Sequence, residues 1–385
     1  MLSRTLAYAV LLTCFLDSYV QGFWMQGYAG PVIQDSGGPE AEGHGGYRLV
    51  AAGQRLHLAN GPSLVSGYQW AWNTFSPSPA PQGFSPLASN LDKLLLWGRR
   101  RSRDGGTTFE ALPAAPAAFS AYAVNRQGIC LAGGSDDRVW RSLDTGRTWA
   151  PVYRGRSAGF IRHLVLHEDW AFAASSRDGL AYSADAGLTW KRWNPEGSAD
   201  STRPAGYSCH ALGLGREMLI RDQSPEAWMI RLDATDGKRT LVKAVLNKQG
   251  VFAATTIPTV LPDSLVTCIT SDFGYLRMGT WGQGVFWSTQ GNTWYAQNAN
   301  LRDLHVEALA ITPFGDARLF AVNKEGVFFY WTEAAVFPVP SRAPKGRSAY
   351  SIFNAVFPAN REGSVLVLSN GKRVAMDHAG PVRGK

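Results

Sequence analysis

The stretches Ser102-Arg-Asp104-Gly-Gly106-Thr-Thr108-Phe109, Ser142-Leu-Asp144-Thr-Gly146-Arg-Thr148-Trp149 and Ser183-Ala-Asp185-Ala-Gly187-Leu-Thr189-Trp190 are three copies of one pattern. In each copy the aspartate can accept hydrogen bonds from the backbone amides that follow it, and the glycine can adopt a positive φ without a Cβ clash. The closing aromatic residue can begin the next strand and bury a large apolar area. The pattern therefore predicts three self-bonded hairpin turns with a structural role.

The spacing of the three turns predicts the fold. The copies recur at intervals of about 40 residues, which is the period of a β-propeller blade. Sustained helical periodicity is scarce, and the 385 residues include 41 glycines and 14 tryptophans, as expected for many short turns around a large core. We therefore expect an all-β chain that forms a single β-propeller, with seven blades favoured and eight or six as alternatives.

The repeated pattern resembles the Asp-box, or bacterial neuraminidase repeat. In that family the repeat joins the third and fourth strands of a propeller blade, and the resemblance implies the same position here. Two copies match at all five defining positions, and the first has Phe109 in place of tryptophan. A fourth copy, Ser288-Thr-Gln-Gly-Asn-Thr-Trp294, is one residue shorter and has Gln290 in place of the aspartate, so we expect a looser turn there.

The first 22 residues have the features of a secretory signal peptide. Arg4 precedes an apolar stretch from Leu6 to Leu16, and the segment ends in the small residue Gly22. The apolar stretch is too short for a permanent transmembrane helix. We therefore expect export to the periplasm or the extracellular space, with lipid anchoring at Cys14 as a less favoured alternative.

The remaining chain is expected to contain an irregular leader (23–46), the propeller (47–378) and a C-terminal tail (379–385). Residues 47–52 are the candidate for the strand that closes the ring, because a closed ring leaves no long exposed edge. The expected blades are 47–112, 121–152, 161–193, 205–245, one around 284–286, one around 326–328 and one at 352–376.

The chain is basic, with a formal net charge of +8. Its densest positive run consists of Arg99, Arg100, Arg101 and Arg103. A basic surface favours anionic partners, so we select these arginines as the candidate partner-binding group. The alternative is a solvated strand edge that discourages sheet pairing. Nucleic acid is not an expected partner, because the sequence contains no recognisable nucleic-acid-binding module and export would separate the two.

Tyr68, Trp70 and Trp72 alternate in sequence. On one strand they would project from one face and could stack on sugar rings, while packing between blades is the alternative interpretation.

The histidines and cysteines predict no metal site. His163 and His167 would lie about 13 Å apart along a strand, too far to bind one ion. Cys130, Cys209 and Cys268 lie in apolar segments, and their spacing suggests neither a zinc site nor a required disulfide. We expect no metal and no cofactor.

Three families with Asp-boxes bear on function. Sialidases use three arginines, a tyrosine paired with a glutamate, and an acidic acid/base residue. This chain lacks their N-terminal Phe/Tyr-Arg-Ile-Pro segment and has only Ser341-Arg-Ala-Pro344 at the other end, so no catalytic residue can be transferred to it. Endoglucanases related to xyloglucan hydrolases use two propellers, whereas this chain is long enough for one. Exported single propellers similar to photosystem assembly factors share its size, signal peptide, turn spacing and arginine run.

These observations favour an exported binding or assembly module without catalytic activity, whose partner is a protein or an anionic glycan. The alternative is a glycoside hydrolase, sialidase-like or endoglucanase-like, that acts on extracellular glycans. An arginine triad or a pair of carboxyl groups converging at one mouth of the ring would favour the enzyme.

Overall fold

All regular secondary structure in the described part of the chain is β-strand, as the sequence predicts. The computed structural model describes residues 22–29, 49–52, 54–60, 63–68, 71–75, 86–157, 159–193, 207–214, 226–246, 251–262, 265–272, 275–312, 319–323, 325–332, 354–356, 364–367, 373–377 and 380–384. Within these ranges no helix has the length and apolar character that crossing a membrane would need.

Seven four-stranded sheets, here called blades, belong to the unit that spans Trp24–Tyr330. Strand β1 is Gly22–Ala29. Blade 1 contains β2 (Leu49–Ala52), β3 (Arg55–Asn60), β4 (Ser63–Tyr68) and β5 (Ala71–Phe75). Blade 2 contains β6 (Leu87–Ser89), β7 (Leu95–Trp97), β8 (Arg100–Ser102) and β9 (Glu110–Ala111). Blade 3 contains β10 (Phe119–Val124), β11 (Cys130–Gly134), β12 (Arg138–Ser142) and β13 (Ala150–Arg154).

Blade 4 contains β14 (Ile161–His167), β15 (Trp170–Ser175), β16 (Leu180–Ser183) and β17 (Lys191–Arg192). Blade 5 contains β18 (Tyr207–Leu214), β19 (Glu226–Asp233), β20 (Arg239–Leu246) and β21 (Phe252–Ile257). Blade 6 contains β22 (Val266–Asp272), β23 (Tyr275–Thr280), β24 (Gly284–Ser288) and β25 (Tyr295–Ala296). Blade 7 contains β26 (Ala308–Ile311), β27 (Leu319–Asn323), β28 (Gly326–Thr332) and β1.

The seven blades form a closed ring. The first strand of each blade contacts the first strand of the next, and β26 of blade 7 contacts β2 of blade 1. The first strands are therefore innermost, and the expected seven-bladed β-propeller is confirmed.

The ring closes through a strand from the start of the chain. β1 lies beside β28 and supplies the fourth strand of blade 7. Residues 23–29, expected to be part of an irregular leader, thus form most of β1. The expected closing segment, 47–52, instead supplies β2, the innermost strand of blade 1.

The number of blades agrees with the expectation, but their content differs at both ends. The range 47–112, expected to be one blade, holds blades 1 and 2, because β6 and β7 form a second set of short strands before the first turn. The segment 352–376, expected to be the last blade, lies in a separate unit made of residues 1–23 and 331–385. That unit contains an antiparallel sheet of β29 (Asn354–Val356), β30 (Ser364–Val367), β31 (Arg373–Asp377) and β32 (Gly380–Gly384).

The apolar core lies between blades. Successive clusters of buried side chains join blades 1 and 2, 2 and 3, 3 and 4, 4 and 5, 5 and 6, and 6 and 7. Tyr68 of blade 1 contacts Phe320 of blade 7, with ring centroids 5.7 Å apart. Each blade thus buries apolar area against its neighbours, as expected for a repeat fold.

The three repeated turns join the third and fourth strands of blades 2, 3 and 4, and we call them Ser-x-Asp turns. In blade 3, Ser142 Oγ donates to Asp144 Oδ1 at 2.8 Å and accepts from the Gly146 amide at 2.8 Å. The amide and hydroxyl of Thr148 donate to Asp144 at 2.9 and 2.7 Å. The same four bonds recur in blades 2 and 4. Each turn is therefore held by its own side chains.

Each Ser-x-Asp turn also packs on the preceding blade. Gly187 has φ +80°, and a Cβ there would lie 2.5 Å from Leu131 Cδ2 of blade 3, so glycine is required on both grounds. Trp190 at the end of the turn packs against the core between blades 3 and 4. The degenerate fourth turn keeps the bond from the Gly291 amide to Ser288 Oγ, at 2.8 Å.

The antiparallel order gives the ring two different faces. The Ser-x-Asp turns and the turns between first and second strands lie on one face, here called the lower face. The turns between second and third strands, and the connections from one blade to the next, lie on the upper face. The innermost strands begin at the upper face, so polar groups there lie near the mouth of the ring.

Candidate functional site

Arg101, one of the predicted partner-binding arginines, is fully buried. Its Nε donates to Glu110 Oε1 at 2.7 Å, and its Nη1 donates to the backbone carbonyls of Asp144 and Thr145 at 3.0 and 2.9 Å. The side chain thus fastens blade 2 to the Ser-x-Asp turn of blade 3. Its guanidinium is not exposed to a partner, which differs from the expectation based on the arginine run.

Blade 3 repeats this arrangement. Arg141 precedes Ser142 as Arg101 precedes Ser102, and its Nε donates to the carbonyl of Ala186 in the next turn at 2.9 Å. We call Arg101 and Arg141 the latch arginines. They join consecutive blades at equivalent places.

The other three predicted arginines do not form one surface. Arg99 is exposed in the turn between β7 and β8, on the upper face, while Arg100 is half-buried on β8. Arg103 lies on the lower face with 62% of its side chain exposed, and its Nε is 3.4 Å from Glu110 Oε1. β8 runs from one face to the other and separates these side chains.

The predicted aromatic row is interrupted by a hairpin. Tyr68 ends β4 and Trp72 lies in β5, where Trp72 pairs with Gly67. The three residues therefore do not alternate along one strand. Tyr68 and Trp72 are half-buried, and Tyr68 packs on Phe320 between blades; Trp70 lies outside the described residues. For Tyr68 the structure favours the packing interpretation over a glycan platform.

Cys130 and Cys209 are buried in the ring, and Cys268 is half-buried. Burial raises the pKa of the Cys130 and Cys209 thiols to about 12, and that of Cys268 to about 11. In the described part of the chain, no group of three or more His, Cys, Asp and Glu side chains is arranged to hold a metal ion. Cys14 and the predicted signal peptide lie outside the described residues, apart from Gly22.

The start of the innermost strands is irregular in several blades. The pairing of first and second strands shifts register across Ser120, Arg162, His210 and Thr267. Ser120 Oγ donates to the carbonyl of Ile161 at 2.7 Å, and Thr267 Oγ1 donates to that of Val306 at 2.6 Å. Such bulges re-aim side chains and are common beside functional sites. At Ser120 and Thr267 the hydroxyl groups thus join neighbouring blades.

Glu307 immediately precedes β26 on the upper face, in a segment that also contains Asp303 and His305. His305 Nδ1 and Asp303 Oδ1 are 2.8 Å apart, and 42% of the histidine side chain is exposed. Trp281 of blade 6 meets the imidazole edge to face, with centroids 5.0 Å apart. The alternate residues of this segment, Leu304 and Val306, belong to the core between blades 6 and 7. Asp303 thus holds the His305 imidazole in place, while part of the ring stays exposed to solvent.

Glu307 is a buried carboxyl group. It is 8% exposed, and its Oε1 has no hydrogen-bond partner among the described residues. Burial, and then the charge of Asp303, raise the pKa of Glu307 to about 8. The group therefore keeps its proton near neutral pH and can donate a proton or a hydrogen bond.

A second pair of carboxyl groups lies on the upper face between blades 3 and 4. Asp137 is fully buried in the turn between β11 and β12, and burial together with the charges of Asp178 and Asp136 raises its pKa to about 6. Asp178 is 1% exposed and accepts from Arg192 Nη1 at 2.8 Å. This pair is enclosed by protein and cannot contact a large substrate in this conformation.

Asp303, His305 and Glu307 were not among the site residues predicted from the sequence. A signal was present, because their alternation directly before an apolar run predicts one side of an extended segment. Asp137 and Asp178 look like ordinary turn residues in the sequence. Their burial depends on the packing of blade 3 against blade 4.

Comparisons with known proteins identify the fold. No protein-family profile matches the sequence, and no curated protein matches it. The solved structure of YCF48 bound to D1 peptide is similar, with a TM-score of 0.56 and 13% identity over 82% of this chain and 96% of that chain. A GH74 enzyme from Niastella koreensis has a TM-score of 0.55 and 18% identity, over 78% of this chain and 53% of that chain.

Virginiamycin B lyase from Staphylococcus aureus is also similar, with a TM-score of 0.54 and 11% identity over 81% of this chain and 99% of that chain. The chain spans about half of the GH74 enzyme and nearly all of the other two. At these identities the likeness establishes the fold alone. The chain is therefore similar to β-propellers that differ widely in function.

Proposed function

We propose that this chain is a binding propeller that captures an acidic segment of a partner protein on its upper face, without catalysing a reaction. One observation carries the proposal: Arg99, Arg154 and Arg156 are all exposed on the upper face of the adjacent blades 2 and 3. Arginine suits this role, because its planar fork pairs with carboxylates in two-bonded geometry.

Both faces contain arginines that lie close to carboxylates. On the lower face, Arg103 and Arg147 lie 3.4 and 3.7 Å from the carboxylate of Glu110. Arg99 lies in the β7–β8 turn, Arg154 is the last residue of β13, and Arg156 lies two residues beyond it. On the upper face Arg138 and Arg192 lie 3.2 and 2.8 Å from Asp136 and Asp178, so the arginines of that face that suit an acidic partner are Arg99, Arg154 and Arg156.

The YCF48 structure supports a peptide partner. In that structure YCF48 is bound to D1 peptide, so a propeller with a similar fold can bind a peptide. For this chain we propose only that it also binds a peptide segment, and we define the partner by its acidic side chains.

The test uses labelled peptides that contain increasing numbers of Asp and Glu, with Lys-rich peptides of equal length. Affinity should rise with acidic content and fall with added salt. Reversing the charge of Arg99, Arg154 and Arg156 together should weaken binding by about tenfold or more. The matched control reverses Arg103, Arg126 and Arg147 on the lower face. Equal losses in both variants, or no preference for acidic peptides, would contradict the proposal.

We also propose that residues 1–22 direct the export of the protein. It is supported by the charge, apolar stretch and small terminal residue of that segment. Mass spectrometry of the N-terminus in periplasmic or secreted fractions tests it. An intact Met1 in the cytoplasm would contradict it.

We further propose that the Ser-x-Asp turns are Asp-boxes. The shared hydrogen bonds and the location between third and fourth strands support this assignment. An alignment of homologues should then retain the aspartate and the glycine in blades 2, 3 and 4, and their free replacement would contradict it.

A glycoside hydrolase is the second candidate function, favoured by the protonated Glu307 beside Asp303 and His305. A carboxyl group that keeps its proton near neutral pH can act as a general acid toward a glycosidic oxygen. Purified protein should then release product from sialosides or β-glucans, and Glu307→Gln should abolish the release. No product from either substrate class would favour the binding function.

A further inference from the structure

Two buried aspartates support the chain between Arg154 and Arg156. The Gly155 amide donates to the carbonyl of Asp137 at 2.8 Å, and the Arg156 amide donates to Asp178 Oδ2 at 3.1 Å. A Cβ at Gly155 would overlap Asp137 Oδ2, so the Asp137 carboxyl group lies directly against this glycine. Arg154 and Arg156 are exposed on either side of it. We call Asp137 and Asp178 the buried carboxyl pair.

The two members of the buried carboxyl pair come from adjacent blades and differ in their partners. Asp137 of blade 3 is 0% exposed and Asp178 of blade 4 is 1% exposed. Asp178 accepts from Arg192 Nη1 at 2.8 Å, in addition to the Arg156 amide. Neither side-chain oxygen of Asp137 has a hydrogen-bond partner of normal geometry among the described residues. A negative charge on Asp137 is therefore poorly compensated.

The surroundings of Asp137 favour its neutral form. The other titratable or charged side chains near the pair are those of Asp136, Arg138, Tyr153, Arg177 and Arg192. Arg138 lies 3.2 Å from Asp136 and so is already beside a carboxylate. Burial raises the pKa of Asp137 to about 6, together with the charges of Asp178 and Asp136, and the nearby Ser175 hydroxyl opposes this change only in part. Asp137 therefore changes its charge close to neutral pH.

We propose that the buried carboxyl pair makes capture of the acidic partner depend on pH, because neutral Asp137 keeps Arg154 and Arg156 in place for binding and ionised Asp137 loosens them. This inference rests on the proposed binding role of these arginines. An ionised carboxylate without a partner is unstable in a buried site, and Asp137 can regain water only if the chain at Gly155 moves away. The new negative charge also weakens the attraction between the arginines and an acidic peptide. Both effects lower the affinity as the pH rises.

The first measurement is the affinity for a labelled peptide rich in Asp and Glu between about pH 5.5 and pH 7.5, where the peptide carboxylates stay ionised. Wild-type affinity should fall about threefold or more across this range. Asp137→Asn should bind tightly throughout the range, because asparagine keeps the shape of the side chain and tolerates the φ of +61° at this position. Asp136→Asn, in the same turn, is the matched control and should keep the pH dependence.

The second measurement needs no peptide. Hydrogen exchange of the Gly155 and Arg156 amides, corrected for the intrinsic effect of pH, should lose protection in the wild type as the pH rises through the same range. In Asp137→Asn these amides should stay protected. The wild-type result tests the proposal even if Asp137→Asn does not fold, which its thermal unfolding midpoint shows.

Constant protection of these amides in the wild type would overturn the proposal, as would an unchanged pH dependence of affinity in folded Asp137→Asn. A change in protection without binding of any acidic peptide at any pH would contradict the proposed function instead, and would still support the response of the buried carboxyl pair to protons.

Discussion

The aspartates of the Ser-x-Asp turns act mainly through hydrogen bonding. Burial opposes ionisation of Asp144, but bonds from Thr148, Ser142 and Arg147 outweigh it and lower its pKa to about 2. Asp144→Ala leaves these donors without their acceptor, and because the site is mostly solvated we expect a loss of about 1 to 2 kcal/mol in the free energy of unfolding. Urea denaturation measures it. Asp136→Asn, which alters an exposed ion pair, should change stability much less.

The lowered pKa of Asp144 also predicts that its contribution to stability depends on pH. Its pKa falls on folding from 3.8 to about 2, so its contribution is present above pH 3.8 and is lost as the pH falls toward 2. The difference between wild type and Asp144→Ala should shrink across that range. A difference that stays constant there would show that the carboxylate charge is not responsible.

The pH dependence of stability expected from Glu307 has the opposite sign. Its pKa rises on folding from 4.5 to about 8, so the folded chain binds more protons between these values and stability falls as the pH rises through them. The slope should approach about 1.4 kcal/mol per pH unit in this window. Glu307→Gln should flatten the dependence of Tm on pH between 5 and 9, about the window those pKa values set. Glu168→Gln, a glutamate of blade 4, should leave it unchanged.

At the scale of the strand and turn, the burial of Arg101 explains why the arginine run does not form the predicted binding surface. Arg101 makes its bonds across a blade interface, and its burial depends on the Ser-x-Asp turn of blade 3. A single sequence displays the charge but not the neighbour that covers it. Arg99 and Arg103 could be placed on opposite faces only after β8 was known to lie between them. The turns themselves could be predicted, because their bonds are local.

The substitution Arg101→Lys tests how much this latch arginine contributes to stability. Lysine cannot reach Glu110 and two carbonyls with a planar fork, so we expect a loss of about 2 kcal/mol in the free energy of unfolding. Arg103→Lys, whose side chain is 62% exposed, should cost less than about 0.5 kcal/mol. Urea denaturation of both variants measures the contrast. Similar losses would mean that burial of Arg101 does not distinguish the two arginines.

At the scale of the whole molecule, the sequence predicted the fold class, because the turn period and the composition are properties of the chain alone. The expected count of seven blades also agrees, but only because the range 47–112 holds two blades and the expected last blade, 352–376, belongs to the other unit. The sequence did not predict where the ring closes. The pairing of β1 with β28 joins residues about 300 positions apart, and no local pattern in 22–29 identifies its partner. The cluster of Asp303, His305 and Glu307 likewise depends on where β26 enters the ring. The alternation of these three residues was visible in the sequence, but their surroundings were not.

Ring closure by β1 gives the last prediction. A shortened chain that begins at residue 30 leaves the outer edge of β28 unpaired, and an unpaired edge favours pairing with other chains. We expect its Tm to fall by about 5 to 10 °C and its mass in solution to rise with concentration, measured by calorimetry and light scattering. A chain that begins at residue 22 is the control and should behave as the full chain does. Adding a synthetic peptide of residues 22–29 should restore the Tm of the shortened chain, because a free edge can accept a strand in trans. A shortened chain that stays monomeric with an unchanged Tm would show that β1 is not needed to close the ring.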